Sequence, residues 1–204
     1  MSVQEIDEEI ENIRRLLETE RQSVVAIGET GWDFYRLSED SSIRSEEIES
    51  ERHAFGAQVD LAKEFGLPLV IHTRNSGQAT LESLRELGIQ DAVIHCFSED
   101  LDFARKAMEI SSGILFGFSG ILTYKSAKNL HEAAKELPLD RILVETDAPF
   151  LAPEPVRGTT NESANVRHVL DRLKTYRHES SETVEKTVFA NSLRFYGLPE
   201  ILFT

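Results

Sequence analysis

Apolar residues recur at helical spacing near the start of the chain. Ile6, Ile10, Ile13 and Leu17 stand among charged neighbours within Val3–Glu20 and predict an amphipathic helix. A short apolar run closed by a glycine and a carboxylate, Val24-Val25-Ala26-Ile27-Gly28-Glu29, predicts a buried strand. Residues 33–51 are polar and read as irregular. Ala54, Val59, Leu61, Ala62 and Phe65 then mark a second helix, stopped by Gly66-Leu67-Pro68. The alternation continues with strands at residues 69–72, 92–95, 113–118 and 141–145, and helices at 78–87, 100–110 and 127–136. A Pro-rich loop at 148–158 leads to helices near 165–176 and 181–196. Strands that are apolar nearly throughout and alternate with helices imply an α/β fold with a parallel sheet covered on its faces. Five such strands and no internal linker predict one domain over residues 1–204.

Polar residues sit at the ends of these strands. Four apolar runs finish in side chains able to hold a metal: Ile27-Gly28-Glu29, Val70-Ile71-His72, Val93-Ile94-His95 and Leu143-Val144-Glu145-Thr146-Asp147. In parallel α/β folds the C-terminal strand ends share one face, where residues distant in sequence can converge. Imidazole and carboxylate together suit zinc, manganese or iron and leave room for a bound water. The alternative is a polar rim that takes a small molecule without metal. Cys96, beside His95, is expected to face the helix layer as a small hydrophobe, since strand neighbours point to opposite faces. His53, His131, His168 and His178 lie in helical or polar stretches and read as surface or packing residues. Trp32 follows Glu29 closely and is either a pocket wall or plain core.

Charge narrows the picture. The net charge is −14, which argues against broad neutralisation of a phosphate backbone by clustered Lys and Arg. It leaves room for a small acidic pocket that reaches a phosphate through metal ions. The excess is concentrated in residues 1–51, with 15 acidic against 5 basic side chains, and reads as a solvated face. A single cysteine, no long apolar span and an acidic start predict a cytoplasmic protein without a membrane segment. There is no P-loop, no dinucleotide glycine signature, no nucleophile elbow around Ser119 and no strand-ending lysine.

Several segments together resemble one family. Gly28-Glu29-Thr30-Gly31-Trp32-Asp33, Pro68-Leu69-Val70-Ile71-His72-Thr73-Arg74, Ile94-His95-Cys96-Phe97-Ser98 and Glu145-Thr146-Asp147-Ala148-Pro149 are similar to the ordered signatures of TatD-like metal-dependent hydrolases. Phe118-Ser119-Gly120, Arg157-Gly158 and Asn161-Glu162 extend the likeness, whereas Glu99 stands where glycine is usual. The resemblance implies a TIM-type (β/α)8 barrel of the metal-dependent hydrolase kind and deoxyribonuclease or phosphodiesterase activity. It implies that Glu29 bridges two divalent ions (zinc, manganese or magnesium), that His72 and His95 complete one, and that Asp147 binds the other and serves the attacking water. Arg74, Arg157 and Asn161 become candidates for contacting the substrate phosphate; for Arg74 a rim salt bridge is the alternative.

One departure matters. The family opens with a strand ending in His-x-His, and this sequence contains no His-x-His. The chain is therefore expected to be N-terminally shortened or mis-started, to about five strand–helix units, with the Asp147 ion weakly held and one ion possible in place of two. Exposed barrel edges would favour self-association. Three functions follow as expectations. The first is hydrolysis of DNA or a small phosphodiester by metal-activated water. The second is an impaired remnant that binds one metal or a phosphate ligand. The third is a hydrolase of another ester or lactone on the same scaffold.

Overall fold

The structure is a computed structural model and describes residues 2–199. Met1, on which the expectation about the start rests, lies outside them. Among the described residues five strands follow in chain order: β1 (Ile27–Asp33), β2 (Leu69–Arg74), β3 (Asp91–Ile94), β4 (Gly113–Phe118) and β5 (Ile142–Val144). The chain forms two compact units, Met1–Ala92 and Val93–Thr204.

In the first unit, helix α1 (Val3–Glu20) begins with a capping box in which Ser2 and Glu5 satisfy each other's backbone N–H. Its Ile6 and Leu17 are buried. Strand β1 covers Ile27–Asp33, later than the apolar run 24–29 predicts. Val25 is exposed, and the strand instead continues through the polar stretch Glu29–Asp33. The reason is close backbone approach to β2 (Leu69–Arg74), which pairs parallel with Gly31 opposite His72 and Asp33 opposite Arg74. A Cβ at Gly31, where φ is +138°, would stand 2.2 Å from the His72 carbonyl oxygen. One at Gly28 would stand 2.6 Å from the Val70 Cβ. Glycine lets this pairing form where hydropathy gives no sign of a strand.

Helix α2 is also longer than expected. It runs Ser41–Phe65 because the Asp40 carboxylate accepts from the Ser42 and Ile43 N–H groups, starting the helix well before its apolar stripe. Gly66 ends it in the left-handed region, as predicted. Along β2, Leu69, Ile71 and Thr73 are buried, while Val70, His72 and Arg74 share the other face. Helix α3 follows at Gly77–Glu86. Trp32 is core: it is buried, packs edge-on against Phe55 and donates from Nε1 to Ser83 Oγ at 2.9 Å. Strand β3 covers Asp91–Ile94.

In the second unit, β4 (Gly113–Phe118) and β5 (Ile142–Val144) pair parallel, with Phe118 opposite Val144. Phe97, Phe103, Phe116 and Phe118 form a buried aromatic cluster against α4 (Leu101–Ile110). Helices α5 (Lys128–Glu136), α6 (Val166–Lys174) and α7 (Ser181–Tyr196) follow close to their expected places. Buried Asn191 ties α7 to the sheet by donating to the Leu139 and Ile142 carbonyls. No helix among the described residues is long and apolar enough to cross a membrane.

Arg177 anchors the end of α5. Its side chain is 8% exposed and pairs with Glu179, while Nη1 donates to the carbonyls of Ala134 and Leu137. Arg177→Ala would leave those carbonyls and the Glu179 carboxylate without their partner. It is expected to lower stability by about 2–4 kcal/mol in urea unfolding. Hydrogen bonds from Arg177 hold the Glu179 carboxyl down at about 2, against an ordinary 4.5. A carboxyl lowered by folding stabilises fully above its unfolded value and loses that contribution as pH falls toward the folded one. The stability advantage of the native chain over Glu179→Gln should therefore be complete above about pH 4.5 and shrink toward pH 2.

Candidate functional site

In the first unit the site is built on the shared face of β2 and the irregular part of β1. The register between the strands shifts between Ile27 and Thr30, and Glu29 lies in that shift. Its Oε1 stands 3.1 Å from His72 Nδ1. His72 Nε2 is buried and has no hydrogen-bond partner. Asp33 Oδ2 is 3.7 Å from it, too far for a hydrogen bond. Asp33 acts as a hub. Its Oδ1 accepts from the Tyr35 N–H at 3.2 Å, and its Oδ2 lies 3.7 Å from Arg74 Nη1 and 3.5 Å from Arg36 Nε. Behind it, Glu51 accepts from the Asp33 N–H, and burial raises the Glu51 carboxyl above its ordinary range. Arg74 thus makes the rim ion pair, and it also lies over the Tyr35 ring at 4.0 Å.

In the second unit His95 and Cys96 lie just past β3. His95 Nδ1 is 2.9 Å from Glu145 Oε1, and His95 Nε2 is 3.5 Å from Asp147 Oδ1. Glu145 Oε1 also accepts from the Cys96 N–H. The Glu145 carboxylate fits because β4 has glycine at 117: a Cβ there would stand 2.6 Å from the carboxylate carbon. Burial disfavours a charged His95 ring, but hydrogen bonds to Cys96 and Glu145 outweigh it and push the imidazole up to about 11. The partner on Nδ1 orients the ring and leaves Nε2 to face Asp147.

Cys96 departs from its expected role. It is not on a strand, and its backbone is left-handed at φ 47°. Period-two alternation therefore does not apply, and the thiol turns to donate to Ser119 Oγ at 3.0 Å. One ligand atom each from His95, Cys96 and Asp147 lies within 4.8 Å of the others. Burial raises the Cys96 thiol above its ordinary value.

The remaining candidates fall elsewhere. Arg157 lies over the Tyr124 ring at 4.2 Å and pairs with Glu154 at 3.7 Å. Asn161 is 3% exposed and clamps its own loop. Its Nδ2 donates to the Phe150 carbonyl at 2.8 Å, and its Oδ1 accepts from Glu162 N–H and Asn165 Nδ2. A side chain so engaged fixes the loop after Asp147 and is not presented to a phosphate. His53 pairs with Asp7 near the surface, and His131 stacks on Tyr176, as packing residues do. Asp33 and Glu145 are the carboxylates beside His72 and His95 to which sequence reasoning gave no role. The signal for Glu145 was its place two residues before Asp147 at the end of an apolar run.

Among the described residues, the donor set of His95, Cys96 and Asp147 in the second unit fits a divalent ion, and in the first unit His72 offers a free ring nitrogen beside Asp33. A buried imidazole nitrogen without a partner is unfavourable, and coordination satisfies it. Imidazole beside carboxylate is the ligand chemistry of zinc and its neighbours.

Comparison with known proteins agrees. The family model for TatD related DNase matches residues 1–197. The chain is 37% identical over 192 residues to the uncharacterized metal-dependent hydrolase YcfH of Escherichia coli K12, covering 93% of this chain and 68% of that protein. It is 38% identical over 176 residues to the uncharacterized metal-dependent hydrolase TatD of Mycobacterium tuberculosis, covering 86% of this chain and 65% of the relative. Among solved structures, the TatD homolog YJJV from Escherichia coli superimposes with a TM-score of 0.85 at 26% identity, covering 95% of this chain and 71% of that one. The TatD family hydrolase of Entamoeba histolytica does so at 0.80 and 22% identity, over 95% of this chain and 71% of that one, a likeness of fold. With its parallel strand pairs alternating with helices, the chain has the TIM-type α/β fold of these hydrolases and belongs to the TatD family of metal-dependent hydrolases.

Proposed function

We propose that the chain is a phosphodiesterase of the deoxyribonuclease kind, with Glu29, His72, His95 and Asp147 as its metal-holding side chains. The observation that carries this reading is the buried Nε2 of His72, which has no hydrogen-bond partner and stands 3.7 Å from Asp33 Oδ2, while Glu29 faces Nδ1 of the same ring. A second imidazole, His95, supports it, being held by Glu145 with its Nε2 toward Asp147. A bound divalent ion would lower the pKa of a water toward about 7 and stabilise charge on phosphoryl oxygens.

The chain's own residues do the rest. Glu145 fixes which ring nitrogen of His95 faces the site, and Gly117 gives that carboxylate its room. Asp147 is the carboxylate that takes the proton of the attacking water. Arg74, held by Asp33, supplies a guanidinium for a phosphate oxygen. A zinc-, manganese- or magnesium-dependent reaction is expected. A second reading, one ion bound without turnover, is favoured by the single cluster of ligand atoms from His95, Cys96 and Asp147 among the described residues. Metal stoichiometry by mass spectrometry beside a cleavage assay separates the two.

With manganese or magnesium present, the chain is expected to cleave single-stranded DNA. The His72→Ala, His95→Ala double variant should fall to background. Equal cleavage by both would contradict the reading. Glu145→Gln should weaken zinc binding about 10–100-fold in calorimetry, because the carboxylate that orients His95 is lost. Unchanged affinity would show that Glu145 does not act through His95.

A further inference from the structure

Tyr35 is an exposed aromatic residue within two contacts of His72. Its side of the first unit is organised by Asp33, whose carboxylate fixes the Tyr35 backbone and stands 3.7 Å from both His72 Nε2 and Arg74 Nη1. The Arg74 guanidinium covers one face of the Tyr35 ring at 4.0 Å. The residue is nevertheless 65% exposed, so much of the ring remains open to solvent. A large exposed ring of this kind contrasts with Trp32 and Phe34, which pack against each other beside it in the sequence.

The surroundings are unusual for this chain. Net charge is −14, yet two guanidinium groups, Arg36 and Arg74, flank the Asp33 carboxylate next to the ring, with Glu51 behind it. Cations beside an open aromatic face form the combination that takes single-stranded nucleic acid: the ring accepts a base, and the guanidinium groups meet the backbone. Stacking on one face by Arg74 also holds the ring in place before a base arrives, which reduces the ordering cost of binding.

We propose that Tyr35, backed by Arg74, is a stacking platform for a nucleobase of a single-stranded polynucleotide, next to the His72 side of the site. The inference rests on the phosphodiesterase reading for its substrate and adds the determinant that selects strands with bases. Tyr35 is a binding and specificity residue and takes no part in proton transfer.

The test uses the metal-loaded full chain and a fluorescent single-stranded oligodeoxynucleotide, with an abasic oligonucleotide of equal length as the control. Binding by anisotropy and hydrolysis are read in parallel. Tyr35→Ala is expected to weaken binding of the ordinary strand about 5–150-fold, the equivalent of about 1–3 kcal/mol for one stacked base. Tyr35→Phe should restore it, kcat should change little, and the abasic strand should bind native chain and Tyr35→Ala alike. A Tyr35→Ala variant that binds the ordinary strand as the native chain does overturns the inference, as does a Tyr35→Phe variant that fails to rescue. No binding of the ordinary strand by the native chain also overturns it. Tyr35-dependent binding without cleavage supports the platform while contradicting the phosphodiesterase reading. Cleavage of the ordinary strand with a KM unchanged by Tyr35→Ala does the reverse.

Discussion

A buried imidazole nitrogen must be paired, and His72 Nε2 is not paired within the chain. Leaving such a group without a partner costs about 1–3 kcal/mol. The strand β2 nevertheless holds the ring there, with Ile71 and Thr73 buried on the other face and the Gly31 backbone directly alongside. The ring's other nitrogen faces Glu29, and the nearby Asp33 is engaged by Tyr35, Arg36 and Arg74. In the function proposed above, a cation held beside the neighbouring carboxylates would resolve this deficit.

The second unit reaches a related end by a different route. His95 lies beyond its strand on a loop, so its ring needs an external support. Glu145 supplies it by facing Nδ1 and accepting the Cys96 N–H at once. That arrangement requires a residue without a side chain at 117 and a left-handed backbone at Cys96. Catalytic carboxylates and imidazoles are only as well placed as the groups that hold them. Here the holding groups are a glycine, a backbone turn and the Glu145 carboxylate.

Much of this was legible in the sequence, and the rest was hidden for identifiable reasons. Periodicity found α1, β4 and α7 because each carries a clear apolar face or run. It misplaced β1, because strand pairing there depends on Gly28 and Gly31 and not on hydropathy. It missed the first half of α2, which an Asp40 cap starts on polar residues. The metal-competent side chains stood out as polar ends of apolar runs. Their supports did not: Asp33 and Glu145 look like ordinary acidic residues until the backbone turns them inward. Cys96 was misread because one left-handed residue breaks the alternation rule. Asn161 belongs to a motif, yet its amide serves the loop.

The direct test of the metal assignment is nitrogen-15 NMR of the histidine side chains during titration with zinc. The account predicts that Nε2 of His72 and of His95 shift together to metal-bound values, while His53, His131, His168 and His178 stay unchanged. A titration that moves only those four, or that leaves His72 Nε2 where it began, would contradict it.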